Sequence, residues 1–135
     1  MTAKDVVLQF WQAMRGNDFD AAAQWLAEDF ENYAPQSSEV IVGRANFAAV
    51  NANYPAAGRW QFDVNTIVAE GDQVVTDVAI TDGVVAARAI TFHTVVDGLI
   101  SRQTEFWPDD YAAPAWRAAW VRIDNRGKCN EVPGA

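Results

Sequence analysis

Residues 60–107 read WQFDVNTIVAEGDQVVTDVAITDGVVAARAITFHTVVDGLISRQTEFW, four apolar runs parted by Gly71-Asp72, Asp82-Gly83 and Asp97-Gly98. Trp60, Phe62, Val64 and Val68 alternate with Gln61, Asp63 and Asn65, the period-two pattern of a strand with one buried face. Asp-Gly between β-formers is a strong hairpin signal, because a type I′ turn needs positive φ at both central positions. The spacing predicts an antiparallel meander of four long strands.

On the N-terminal side the period changes to that of a helix. Val6, Val7, Phe10, Trp11 and Met14 form an apolar stripe over residues 3–15, and Gly16-Asn17 ends it. Asp18 suits the N-cap of a short second helix through Leu26, and Phe30 to Tyr33 reads as a short strand before Pro35. A polar loop, Gln36 to Glu39, leads to a third helix over Gly43 to Tyr54, stopped ahead of Pro55. Beyond Trp107-Pro108 the pattern gives a short helix near Pro114–Val121. Residues 1–123 are read as one domain and 124–135 as a flexible tail. Helices first and strands second predict the α+β class, a curved antiparallel sheet with three helices on one face.

The 135 residues are 50% hydrophobic and 21% charged, the balance of a globular protein. Ten basic residues against 18 acidic ones give a net charge of -8, which disfavours nucleic acid and anionic membrane as partners. Cys129 and His93 are each the only residue of their type, so neither an internal disulfide nor a Cys- or His-rich metal site is expected. The first residues lack the pattern of a signal peptide, and no run of about 18 apolar residues occurs. A cytoplasmic location is the expectation.

Two-residue turns would also bring charges together. They set Asp77 opposite Arg88, Ile90 opposite Glu105 and Arg88 opposite Trp107, with Asp77, Arg88 and Glu105 on the face that carries Trp60 and Phe62. The other face would hold Asp63, Asn65, Thr91, His93 and Arg102. An arginine between two carboxylates keeps one ionised while an apolar wall holds the other protonated, a base and an acid over one pocket. The same trio also reads as a structural ion-pair network. His93 is expected at the surface or in an interface, and Trp11, Trp25 and Trp60 mostly in the core. The outer strip of Val78, Ile80, Ala87, Ala89 and Phe106 predicts a homodimer.

The segments FWQAMRGNDFDAAAQWLAEDF, IVGRANF and VVDGLISRQTEFWPD resemble the SnoaL-like branch of the nuclear-transport-factor-2-like superfamily, over about residues 4–122. The resemblance implies a cone-shaped barrel of curved sheet closed by three helices, a deep apolar pocket and often a dimer through the outer sheet face. Glu105 matches the acidic position of SnoaL-type polyketide cyclases and one catalytic aspartate of limonene-epoxide hydrolases, and Asp77 matches the second aspartate of the latter. The arginine of those hydrolases falls at Val75, a role Arg88 would take over, while Asn32 and Tyr33 lie near their water-positioning pair. Ketosteroid isomerases place their base where this chain has Ala34 and a tyrosine where it has Phe10, so their chemistry is not expected. In such a pocket Phe10, Tyr33, Trp60, Phe62, Val75, Ile90 and Trp107 are read as the substrate wall, with Asp77, Arg88 and Glu105 catalytic. The resulting expectation is a cofactor-free, metal-free acid–base enzyme for a small apolar molecule, of epoxide hydrolase, cyclase or isomerase type. A non-catalytic ligand-binding or dimerisation module is the alternative.

Overall fold

The computed structural model describes residues 1–129, so that the second half of the expected tail, 130–135, lies outside the described residues. Helix α1 (Ala3–Arg15) starts at a capping box: Asp5 N–H donates to Thr2 Oγ1 (3.2 Å) and Thr2 N–H to Asp5 Oδ2 (3.0 Å). Its inward stripe is the expected one, Val6, Val7, Phe10, Trp11 and Met14, all buried. Asp18 caps α2 (Phe19–Ala23), which is shorter than its pattern suggests because Leu26 already begins β1 (Leu26–Ala34). The stretch after the polar loop forms β2 (Glu39–Val42), an edge strand that the sequence reading lacks, followed by α3 (Arg44–Ala52).

The meander is present as β3 (Gln61–Glu70), β4 (Gln73–Thr81), β5 (Ala86–Val96) and β6 (Leu99–Phe106). Strand order is β2-β1-β6-β5-β4-β3. Each neighbouring pair is antiparallel except β1 and β6, which run parallel. The sheet is curved and unclosed, with its helices packed over one face, so the α+β class holds while the barrel stays open. A 3-10 helix, Ala115–Trp120, stands where the last helix was expected.

Two local departures from two-residue regularity decide which side chains face the helices. At Asp97-Gly98 both φ angles are positive, 52° and 79°, and Val96 pairs with Leu99 as expected of a tight turn. Two residues later Ser101 is an extra residue in β6: Val95 pairs with Ile100, but Thr94 pairs with Arg102. Asn65 is likewise extra in β3, between the pairs Val64–Val78 and Thr66–Asp77. A one-residue bulge sends every later side chain to the opposite face. Glu105 therefore lies opposite Thr91, not Ile90, and Phe62 and Val64 share a face with Val78 and Ile80 instead of with Asp77.

The Asp82-Gly83 turn differs for another reason. The Asp82 carboxylate accepts from the backbone N–H groups of Ala57 (2.7 Å), Val84 (3.0 Å) and Val85 (2.8 Å). These bonds hold its pKa below the usual carboxylate range and open the turn to the four residues between Thr81 and Ala86. Pairing moves by two residues, so Arg88 faces Ala79 and Asp77 faces Ile90. An even shift keeps the face.

Where α1 ends, Asn17 (φ 55°) clamps the first long strand, its Nδ2 donating to Trp60 O (2.8 Å) and its Oδ1 accepting from Trp60 N (3.0 Å). Asn17→Gly keeps the left-handed backbone at no steric cost and deletes both bonds. It should lower unfolding free energy by about 2 kcal/mol, roughly 1 per hydrogen bond, measured by urea titration at neutral pH. An unchanged midpoint would show that the clamp does not stabilise the helix–strand junction.

Candidate active site

Between the helices and the inner sheet face lies a cavity of about 540 Å³. Its wall is mostly apolar: Phe10, Trp11 and Met14 from α1, Phe47 and Val50 from α3, and Ile41, Phe62 and Ile80 from the sheet. Asn32, Tyr54, Glu105 and Trp107 add polar atoms, and the exposed Glu39 and Asp109 stand on its lining as well. The Trp11 indole N–H is buried with no hydrogen-bond partner among the described residues.

The central carboxyl is Glu105, half-buried on β6. The Thr91 hydroxyl donates to its Oε2 at 3.0 Å. Desolvation raises its pKa above the ordinary 4.5, against the lowering effect of hydrogen bonding by the Thr91 and Trp107 side chains. Among the described residues no arginine or lysine forms an ion pair with it. Tyr54 is raised too, first by burial, then by the negative charges of Glu105 and Glu39. Its phenol thus stays protonated at neutral pH.

Beside Glu105 a polar chain crosses the inner face. Thr76 Oγ1 meets His93 Nε2 at 2.8 Å, His93 Nδ1 meets Gln103 Oε1 at 2.6 Å, and Gln103 Nε2 donates to Asn32 Oδ1 at 3.0 Å. All four residues are buried, His93 completely. Burial pushes the imidazole down to about 4, with the Gln103 bond opposing, so His93 is neutral at physiological pH.

The expected trio is divided by the bulges. Arg88 does bind Asp77 in a two-toothed pair, Nε to Oδ1 at 2.8 Å and Nη2 to Oδ2 at 2.6 Å, reaching diagonally between strands. That pair lies on the outer face with Val75 and Ile90, away from the cavity that Glu105 lines. Val75 and Ile90 are therefore not cavity wall. Tyr33 also points away, 44% exposed, while its neighbour Asn32 faces in. Trp60 is buried against Tyr54, its ring edge-on at 6.1 Å, instead of lining the space. Phe10, Phe62, Trp107 and Glu105 stand on the cavity as expected.

His93 and Thr91, expected outside, are inside. Val78, Ile80, Ala87 and Ala89 are core residues, so they form no outer strip. The polar chain from Thr76 to Asn32 escaped the sequence reading. One signal for it exists: the apolar phase of β3 switches from Phe62 and Val64 to Ile67 and Ala69 across Asn65, which marks the bulge that turns this face inward.

Residues 7–103 match the family model of the SnoaL-like domain. The chain belongs to the SnoaL-like domain family. A Kribbella flavida protein that carries a provisional ketosteroid isomerase designation is 34% identical, with 90% of this chain and 89% of that one covered at a TM-score of 0.83. An NTF2-like protein of unknown function from Burkholderia xenovorans is 30% identical, with 90% and 94% covered and a TM-score of 0.74. An M. tuberculosis epoxide hydrolase shares the SnoaL-like fold at 23% identity, with 78% and 82% covered and a TM-score of 0.62. No curated protein matches the chain. Among the described residues no helix is long and apolar enough to cross a membrane, and no cluster of three or more His, Cys, Asp or Glu side chains has the arrangement to hold a metal ion.

Glu105 and His93 have opposite linkage. A raised Glu105 pKa means that folding takes up a proton, so stability is lost as pH climbs from 4.5 through the folded value. Glu105→Gln should match the parent near pH 4 and gain on it at pH 8 in denaturant midpoints; an equal gap at both pH values would contradict the burial of this carboxyl. His93 gives its proton up on folding, so its contribution is full above 6.5 and is lost as pH falls toward about 4. Being the only histidine, its ring resonances are unambiguous. They should stay fixed from pH 8 to pH 5 in NMR titration, whereas a midpoint near 6.5 would mean that the ring is solvated.

Proposed function

We propose that the chain is an enzyme needing no cofactor that moves a proton on a small, largely apolar substrate held in the cavity, with Glu105 as the acid–base group. One observation carries this reading: a carboxyl raised in pKa, with no cationic partner among the described residues, stands on a mostly apolar cavity of substrate size. Proton transfer is fastest when the catalytic pKa lies near the working pH, and desolvation moves Glu105 in that direction.

Glu105 is the sheltered carboxyl of a cavity whose other two, Glu39 and Asp109, are exposed, and it suits reactions in which one group takes a proton and returns it elsewhere. Isomerisation of an unsaturated ketone and intramolecular carbon–carbon closure of a polyketide-like chain are of that kind. The carboxylate removes hydrogen from a carbon beside a carbonyl, the electrons pass to the carbonyl oxygen, and the carboxylic acid then delivers the proton to the product. Epoxide opening by a pair of carboxylates fits less well, because Asp77 lies on the other side of the sheet from Glu105. The designation of the Kribbella relative agrees with the isomerase side of this class, with Glu105 in place of the base that ketosteroid isomerases carry at the position of Ala34.

Asp77 and Arg88 are assigned a structural role on the outer face. That face also carries Val68, Val75, Ile90, Phe92 and Phe106, with Phe92 48% exposed. We propose that two copies meet there, in place of the strip inferred from alternation. Light scattering should give about twice 15 kDa, as two-fold pairing requires; the monomer mass would refute it.

Deuterium uptake from D2O into a panel of cyclic ketones and 1,3-diketones, read by mass spectrometry, tests the chemistry. Glu105→Gln should lower the rate on an accepted compound by roughly 10²–10⁴, the range for loss of an acid–base group. Asp77→Asn should leave that rate within about twofold and cost no more than about 1 kcal/mol, the scale of an exposed ion pair. Full exchange by Glu105→Gln, or tight binding of the panel with no exchange at all, would overturn the proposal, the second outcome in favour of a binding module.

A further inference from the structure

The chain from Thr76 to Asn32 has a direction. Thr76 is completely buried, and its hydroxyl hydrogen has one acceptor among the described residues, His93 Nε2. A buried hydroxyl that kept its hydrogen unpaired would lose a full hydrogen bond's worth of solvation, so Thr76 donates and Nε2 is the bare nitrogen. A neutral imidazole then carries its hydrogen on Nδ1 and donates it to Gln103 Oε1. With its oxygen engaged, Gln103 turns its NH2 to Asn32 Oδ1. Each residue dictates the orientation of the next, and the last one is a cavity residue.

What remains at the end of the chain is the Asn32 NH2 group. Its oxygen is taken by Gln103, its side chain is only 3% exposed, and it lines the cavity without a protein acceptor for its two hydrogens among the described residues. Asn32 sits opposite Gln103 in the β1–β6 ladder, and Glu105 is two residues further along the same inner face. A buried amide that offers only donors selects for a ligand atom that can only accept. We propose that Asn32 forms a binding subsite for a neutral oxygen acceptor, a ketone or ester carbonyl, and that His93 and Gln103 are positioning residues that hold its NH2 toward the ligand. This deepens the proton-transfer reading, on which it rests for its catalytic meaning. A carbonyl held by Asn32 lies in the row next to Glu105, where hydrogens on the adjacent carbon become acidic and the enolate oxygen keeps its donor.

The probes are 2-decalone, 13C-labelled at the carbonyl, and 2-methylenedecalin, which has nearly the same shape and no acceptor. In the wild-type protein, long-range 1H–15N spectra of the only histidine should show Nδ1 protonated and Nε2 bare. The ketone should bind roughly fivefold more tightly than the alkene, the equivalent of about 1 kcal/mol for one hydrogen bond, with its carbonyl resonance moved downfield. Asn32→Leu should abolish both the preference and the shift. Gln103→Leu removes the donor that holds the Asn32 oxygen, leaving its amide free to turn either way, so the preference should weaken although Asn32 is intact. A protonated Nε2 in the wild type, a ketone bound no better than the alkene, or a preference that survives Asn32→Leu would each overturn the subsite. Should the variants fail to fold, the wild-type tautomer and carbonyl shift decide. Full turnover by Glu105→Gln would instead remove the proton-transfer reading and leave the subsite standing.

Discussion

Ser101 is one residue more than β6 needs to match β5, and the bulge it makes sets the chemistry of the inner face. Without it Gln103 and Glu105 would project toward the outer face and His93 would have no amide oxygen to bond. With it, Gln103 meets His93 on one side and Asn32 on the other, and Glu105 reaches the Thr91 hydroxyl. The second bulge, at Asn65, performs the matching correction on β3, so that Phe62 stands on the wall of the same cavity and Val64 packs against the core. Bulges near functional sites commonly re-aim side chains in this way.

A polar chain under an apolar helix is tolerable only when its members satisfy one another. Here His93 contacts the edges of Phe10 and Trp11, with ring centroids 6.3 Å away in both cases, while its two nitrogens are fully engaged by Thr76 and Gln103. An ionised imidazole in that setting would have neither water nor a carboxylate to balance it, which is why its proton affinity falls. Glu105 gains the complementary property from the same environment. Burial disfavours the charged form of each, lowering the proton affinity of the imidazole and raising that of the carboxyl.

Much of the fold was legible in the sequence, because α1, the four long strands and the Asp97-Gly98 turn are written in periodicity and turn chemistry. The site was harder to read for a physical reason. Alternation assigns apolar residues to the inside, yet β5 points Thr91 and His93 inward and Ile90 and Phe92 outward. This part of the sheet inverts the usual sorting of polar and apolar side chains. Glu105 was reached by two routes, the hairpin register and its likeness to the family position; the register that grouped it with Asp77 and Arg88 could not foresee an extra residue. The Asp82 turn misled differently, since the side chain captures the backbone N–H groups that a two-residue turn would have left to the strands.

The parallel pairing of β1 with β6 has a kinetic side. Asn32 and Gln103 are 71 residues apart, whereas each hairpin of the meander joins near neighbours in the chain. Local contacts form early in folding because they close small loops, and the widest closures come at the greatest entropic expense. The meander can therefore assemble with His93 and Gln103 already in register while the cavity still lacks its first-strand wall. Docking of β1 then brings Asn32 and Ala34 to the cavity wall, and the loss of that strand would open the cavity again.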